Sequence, residues 1–205
     1  MAERTKKMIN KIIMATNNKN KLRETRDILS PLGIEVISLS DAGIDVDPDE
    51  TGETFEENAT IKAQAVLELT DLPVIADDSG LCVEALGGRP GVHSARTYPE
   101  HEECAGLLED MKDIPEGSRS AYFQCVIVYM DKNACIVFSG KCEGSIGFEQ
   151  KGENGFGYDP VFMYEGRTLA EMSEDEKNSI SHRGAALRDL YEYLKERNSE
   201  ENADK

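Results

Sequence analysis

The stretch INKIIMATNNKNKLRETRDILSPLGIEVISL, from Ile9 to Leu39, decides the fold. Ile9, Ile12, Ile13 and Met14 form a short apolar run that stops at Ala15-Thr16-Asn17-Asn18, as a strand running into a turn does. Leu22, Ile28, Leu29 and Leu32 then share one helical face, and Gly33 stands where a helix C-cap belongs. Ile34 to Leu39 alternates weakly and reads as a second strand. Strand, loop, helix, strand predicts an α/β fold.

The rest of the chain extends this pattern. Residues 40–53 are acidic and loop-like. Thr54-Phe55-Glu56-Glu57 has capping-box spacing and opens a helix through Ala59, Ala63, Val66, Leu67 and Leu69. Pro73 to Ala76 reads as a buried strand carrying Asp77-Asp78-Ser79-Gly80 at its end. Tyr122–Met130 and Cys135–Ser139 are β-rich and joined by the hairpin signal Asp131-Lys132-Asn133. Gly152 to Asp159 reads as a loop. A last helix starts near Ser181, with Leu187, Leu190, Tyr191 and Leu194 on one face, and the polar tail from Glu196 is expected to fray. Without repeats or a flexible linker, residues 1–205 are expected to form a single domain. Its ordered core would span 9–196, with tails at 1–8 and 197–205.

No apolar run reaches the roughly 20 residues of a bilayer span, and no apolar signal core follows the charged N-terminus. The expectation is a cytoplasmic protein without a membrane partner. Cys82, Cys104, Cys125, Cys135 and Cys142 lack any C-x-x-C pair, which argues against a disulfide framework or a zinc site. The formal charge of −17, from 40 acidic and 23 basic residues, repels nucleic acid. It would repel a triphosphate too, so a phosphorylated ligand needs local cations or metal.

Four segments carry chemistry. Thr16-Asn17-Asn18-Lys19-Asn20-Lys21, between strand and helix, offers backbone N–H groups, a helix N-terminus and lysines, which suit phosphate. Asp77-Asp78-Ser79-Gly80 places adjacent carboxylates where Mg²⁺ is the natural counter-ion, with Asp49, Glu50, Glu57 and Lys62 nearby in the pattern. Gly155-Phe156-Gly157-Tyr158-Asp159-Pro160 lets backbone approach a flat ligand on which a ring can stack. Lys177 and Ser181-His182-Arg183-Gly184 set cations at a helix start, which the macrodipole disfavours unless an acid or an accepting ligand is present.

Together the segments A-T-x-N-x-x-K (Ala15 to Lys21), E-T-G-x-T-F-x-E-N-A (Glu50 to Ala59), A-D-D-S-G-L (Ala76 to Leu81), L-G-G-x-P-G-x-x-S-A-R (Leu86 to Arg96), G-F-G-Y-D-P (Gly155 to Pro160) and S-H-R-G-x-A-L (Ser181 to Leu187) resemble the inosine triphosphate pyrophosphatase family, also called dITP/XTP pyrophosphatases. The resemblance runs from about Ile12 to Leu194. It implies a mixed central sheet flanked by helices, in two lobes with the active site in the cleft between them. It also implies hydrolysis of ITP, dITP or XTP to the monophosphate and pyrophosphate, with Mg²⁺ or Mn²⁺, by a homodimer. Thr16 to Lys21 would bind phosphates, assisted by Lys62 and Arg96. Asp78 would serve as general base and metal ligand, with Ser79 contacting substrate. The second metal ligand would be Asp49 or Glu50. Phe156 would stack on the base, surrounded by Gly157, Tyr158 and Asp159, and Lys177, His182 and Arg183 would read the purine. The first ten residues exceed the family's usual start, which makes Met8 an alternative initiator. The alternatives are a Maf-type pyrophosphatase acting on other modified nucleotides and a nucleotide sensor without turnover.

Overall fold

The computed structural model describes residues 8–203, so the expected N-terminal tail lies outside the described residues except for Met8. One seven-stranded sheet, in the order β2-β1-β3-β4-β5-β6-β7, carries the fold. Its strands are β1 (Lys11–Met14), β2 (Glu35–Ile37), β3 (Val74–Val83), β4 (Ser120–Asp131), β5 (Ala134–Ile146), β6 (Phe162–Tyr164) and β7 (Arg167–Thr168). β1 runs parallel to both β2 and β3, and every later pairing is antiparallel. The helices are α1 (Lys19–Leu29), α2 (Phe55–Leu67), α3 (Glu103–Asp110), α4 (Glu174–Ile180) and α5 (His182–Ala203). The architecture is α/β, a mixed sheet flanked by helices.

The alternation of side chains along the central strands sorts the helices to two faces. Ile12, Met14, Ile75, Ile127 and Tyr129 pack with Leu29 of α1 and with Leu187, Leu190 and Leu194 of α5. Ile13, Val74, Ala76 and Val128 pack with Ala59, Ala63 and Val66 of α2. A further apolar cluster, built on Leu81, Val83, Phe123 and Phe162, fills the other end of the long strands. β1 therefore sends its crossover helix α1 to one face, while α2, entering β3, lies on the other. That split makes the C-terminal end of β1 a topological switch point, the place where open α/β sheets bind ligands.

Several boundaries differ from the sequence reading. Asp77-Asp78-Ser79-Gly80 does not end β3. Its partner β1 stops pairing at Ile75, but β4 continues the ladder to Val83↔Ala121, so the acidic pair lies mid-strand. β5 outruns the expected Cys135–Ser139 for the same reason, since β4 pairs with it as far as Ser120↔Ser145. Thr54 and Glu57 form the expected capping box, yet α2 ends at Leu67 and leaves Leu69 58% exposed. α1 passes into a 3₁₀ turn, Ser30–Leu32, closed by Gly33. Past Glu196, α5 continues to Ala203, tied by Arg197 Nη2 to Asp131 Oδ2 at 2.6 Å and by Asn198 Nδ2 to the Ile9 carbonyl at 2.9 Å. α3, α4, β6 and β7 are not in the sequence reading, although Ser173 and Glu176 carry the capping-box spacing that opens α4.

Candidate active site

A cleft of about 890 Å³ opens at the switch point, lined by the β1–α1 turn, the acidic loop, α2, β3, the segment 155–159 and the start of α5. Adjacent strand residues point to opposite faces, and this separates the two aspartates. Asp77 faces α1 and α5. Lys21 Nζ of α1 pairs with its Oδ1, Arg183 Nε of α5 donates to Oδ2 at 2.8 Å, and Cys125 Sγ of β4 donates to Oδ2 at 2.9 Å. Burial raises the Asp77 carboxyl pKa, but Arg183 and Lys21 outweigh it and hold the group well below the usual carboxylate range.

Asp78 faces α2. Lys62 Nζ donates to Oδ1 at 3.0 Å and Asn58 Nδ2 to Oδ2 at 3.3 Å. Here burial prevails over Lys62, and the carboxyl pKa rises above the ordinary aspartate value. Two neighbouring carboxylates are thus pushed in opposite directions, the pattern that divides acid–base roles. Lys62 also reaches Glu50 Oε1 at 2.9 Å, and Arg96 Nη1 lies 3.4 Å from Glu50 Oε2. Burial pushes the Glu50 carboxyl up, but Lys62, Arg96 and Lys21 together outweigh it and its pKa is lowered.

At the other end of the cleft Asp159 Oδ2 accepts from Lys177 Nζ at 2.7 Å and from the Phe156 N–H at 2.8 Å. Gly155 turns the loop at φ +75°, and a Cβ there would meet Asp159 Oδ2 at 2.1 Å. Lys177 Nζ sits 4.4 Å from the Phe156 ring centroid. His182 stacks on Phe123 at 4.7 Å between centroids, and its Nδ1 is buried without a hydrogen-bond partner. Burial, then the Arg183 charge, holds this imidazole well below its ordinary pKa, so it is neutral. Arg183 further donates through Nη1 to Glu24 at 2.6 Å and through Nη2 to Ser79 Oγ at 2.8 Å.

The cleft gathers nearly every residue singled out in the sequence: Thr16, Asn17, Asn18, Asn20 and Lys21; Glu50, Lys62, Asp78, Ser79 and Arg96; Phe156 to Asp159; and Lys177, His182 and Arg183. Lys19 and Asp49 are not among the lining residues. Asn18 caps α1, its Oδ1 accepting from Asn20 N at 2.9 Å and Lys21 N at 3.1 Å, so those two N–H groups are already paired. Lys177 lies in the last turn of α4, with only Ser181 between that helix and α5.

The reading missed Glu24, Asn58, Phe123, Cys125 and Gly140. Glu24 carried a signal, being four residues before Ile28 on the apolar side of α1; it is 6% exposed and binds both Arg183 and Lys177. Gly140 lies on β5 under the first turn of α5, where a Cβ would meet the His182 carbonyl at 2.0 Å. Nothing in sequence marked Cys125. Among the described residues no three His, Cys, Asp or Glu side chains form a ready metal cluster, and the cleft holds seven acidic side chains against five cationic ones.

Residues 12–193 match the Ham1 family. A protein of Escherichia coli (strain K12) named dITP/XTP pyrophosphatase is 44% identical over 194 residues, covering 90% of this chain and 98% of that protein. A Halalkalibacterium halodurans protein of the same name is 47% identical over 189 residues, covering 89% and 97%. The structure of a HAM1 protein from Coxiella burnetii superimposes with a TM-score of 0.83 at 42% identity, covering 92% of this chain and 100% of that one. On this match of sequence and fold, the chain belongs to the Ham1 family.

Proposed function

We propose that this protein hydrolyses deaminated purine nucleoside triphosphates, ITP, dITP and XTP, to the monophosphate and pyrophosphate. The observation that carries the reading is Asp78, a carboxylate of raised pKa on the cleft wall, flanked by Glu50 and Lys62. The relatives named dITP/XTP pyrophosphatase support the substrate class.

The donor chemistry fits a divalent cation. Glu50 and Asp78 are hard oxygen donors converging on one ammonium, at 2.9 and 3.0 Å. Mg²⁺ is commonly held by one or two carboxylates with phosphate oxygens and water completing the shell. Glu50 and Asp78 would hold it, and when bound it neutralises phosphate charge that an acid-rich cleft cannot. Mn²⁺ would serve by the same donors.

Asp78 takes a proton from the water that attacks the α-phosphorus, while Asp77, tied to Arg183 and Lys21, keeps a structural place. Thr16, Asn17 and the start of α1 face the phosphates, with Lys62 and Arg96 meeting the charge of the departing pyrophosphate. Phe156 stacks on the base. His182 Nδ1, buried and unpaired, is free to hydrogen-bond a purine edge, while Asp159 and Glu24 hold Lys177 in place. A site built on such fixed polar groups rejects an amino group where it expects a carbonyl. The reading includes a single-domain chain acting as a cytoplasmic homodimer, the state that the family resemblance implies.

The test is pyrophosphate release from ITP, XTP, GTP, ATP and CTP, with Mg²⁺ and with EDTA. Metal-dependent release from ITP and XTP alone supports the reading. Orthophosphate as product, or equal release from ATP, overturns it.

A further inference from the structure

All four carboxylate oxygens of the Glu50–Asp78 pair are already engaged. Lys62 Nζ bridges Glu50 Oε1 and Asp78 Oδ1, Arg96 Nη1 meets Glu50 Oε2, and Asn58 Nδ2 meets Asp78 Oδ2. Lys62 is held there by its place on α2: its side chain is 15% exposed, and Asp78 and Glu50 are the acids it contacts. Its ammonium thus stands at the point where these two carboxylates converge, which is also where a divalent ion would draw on both.

We infer that Lys62 is a built-in counter-cation that closes the metal seat until a triphosphate draws it away, so that metal and nucleotide bind together rather than metal first. The inference rests on the function proposed above. A free carboxylate pair offers a divalent ion only two side chains, and to use both of the inner oxygens the ion must displace an ammonium making two charge-assisted hydrogen bonds. A triphosphate changes this balance. Its oxygens offer Lys62 and Arg96 an alternative anion, and they supply the ligands that two carboxylates alone cannot. The coupling is reciprocal, so nucleotide tightens metal as much as metal tightens nucleotide. The pairing also makes the empty-handed cleft less acidic, since without Lys62 two carboxylates would face one another across the seat.

The test is a Mn²⁺ titration of the full-length protein, without nucleotide, followed by electron paramagnetic resonance of the free ion. Lys62→Met should bind Mn²⁺ at least about ten-fold more tightly than wild type, because an opposing unit charge has left the seat. Lys62→Arg should resemble wild type. Combining Lys62→Met with Asp78→Asn should abolish the gain. Lys62→Gln keeps a hydrogen-bond donor while removing the charge, and it replaces Lys62→Met if that variant does not fold. Equal Mn²⁺ affinity in wild type and the neutral variants, including none in either, overturns the inference, as does a gain that survives loss of Asp78. The titration involves no turnover. A protein inactive on ITP and XTP that still gains Mn²⁺ affinity has lost the proposed function and kept the plug; the converse loses only the plug.

Discussion

Arg183 Nε lies 2.8 Å from Asp77 Oδ2, joining the first turn of α5 to the middle of β3 across 106 positions of sequence, with both side chains almost wholly buried. Glu24 on α1 takes a second edge of the same guanidinium, and Lys21 pairs with the far oxygen of the same carboxylate. The alternation continues through Lys177 to Asp159, so charges of opposite sign run in contact from Lys21 at one end of the cleft to Asp159 at the other. Such a chain holds α1, α4 and α5 in one arrangement on the sheet, and it binds each cation by a carboxylate rather than leaving it to solvent.

Asp77 and Asp78 should therefore fail in different ways. Asp77→Asn leaves Arg183 buried with one acidic partner lost, and breaking such a pair costs about 3–5 kcal/mol. Asp78→Asn removes a carboxylate whose ionised form burial already disfavours, so stability should hold or rise while pyrophosphate release stops. Urea unfolding of the two variants beside the ITP assay separates the roles. Equal loss of stability in both would remove the distinction.

His182 makes stability depend on pH. Burial and Arg183 hold its folded pKa well below the 6.5 of a free imidazole. The unfolded chain therefore binds the extra proton first as pH falls, and stability drops below about 6.5. Asp77, with its lowered folded pKa, keeps its own contribution until the pH falls below the ordinary value of 3.8. Asp78 and Asp159, both raised, act in the opposite sense as they protonate. The His182 contribution is isolated by difference. His182→Gln should flatten the slope of unfolding free energy between pH 7.5 and 5 relative to wild type, and parallel slopes would exclude it.

How much of this was legible follows from what each signal depends on. The capping box at Thr54–Glu57 and the apolar face of α1 are local, and both form as read. Three of the four chemical segments stand out because they carry unusual residues at a turn or element end; the fourth, Asp77 to Gly80, lies within a strand. The position of Asp77 and Asp78 was misread because a strand's end depends on its partners: β1 stops while β4 goes on. That α5 runs on past Glu196 is not local either, since Arg197 is held by Asp131, far away in sequence. Glu24 and Cys125 escaped for that reason too. Their partners, Arg183 and Lys177 for Glu24 and Asp77 for Cys125, come from elements remote in sequence.

Phe156 tests the base end of the cleft. Stacking a base on an aromatic ring contributes about 1–3 kcal/mol, so Phe156→Ala should raise KM for ITP about 5- to 150-fold. Phe156→Tyr should restore most of it, since the ring remains. On the proposed function the ring stacks on the base, far from the bond that breaks, so the change should fall mainly on KM. Steady-state kinetics decide; an unchanged KM would mean that the ring only shields Lys177, 4.4 Å from its centroid.

Gly140 should control how closely α5 approaches the sheet. A methyl there would lie 2.0 Å from the His182 carbonyl and 2.8 Å from the Ala186 nitrogen, and neither backbone atom can swing aside. The first turn of α5 must lift, carrying with it the Arg183 guanidinium and the His182 ring, both of which face the cleft. Overpacking of this kind costs about 1–3 kcal/mol. A displacement of even 1 Å in positioning groups costs about a hundred-fold in rate. Gly140→Ala should therefore lower both the urea midpoint and kcat/KM for ITP, the second by more than the stability loss explains. Gly117→Ala, where a Cβ meets nothing within 4 Å, is the control and should leave both unchanged. A Gly140→Ala protein with wild-type kcat/KM would show that the site tolerates a shifted α5, and that the contact serves packing alone.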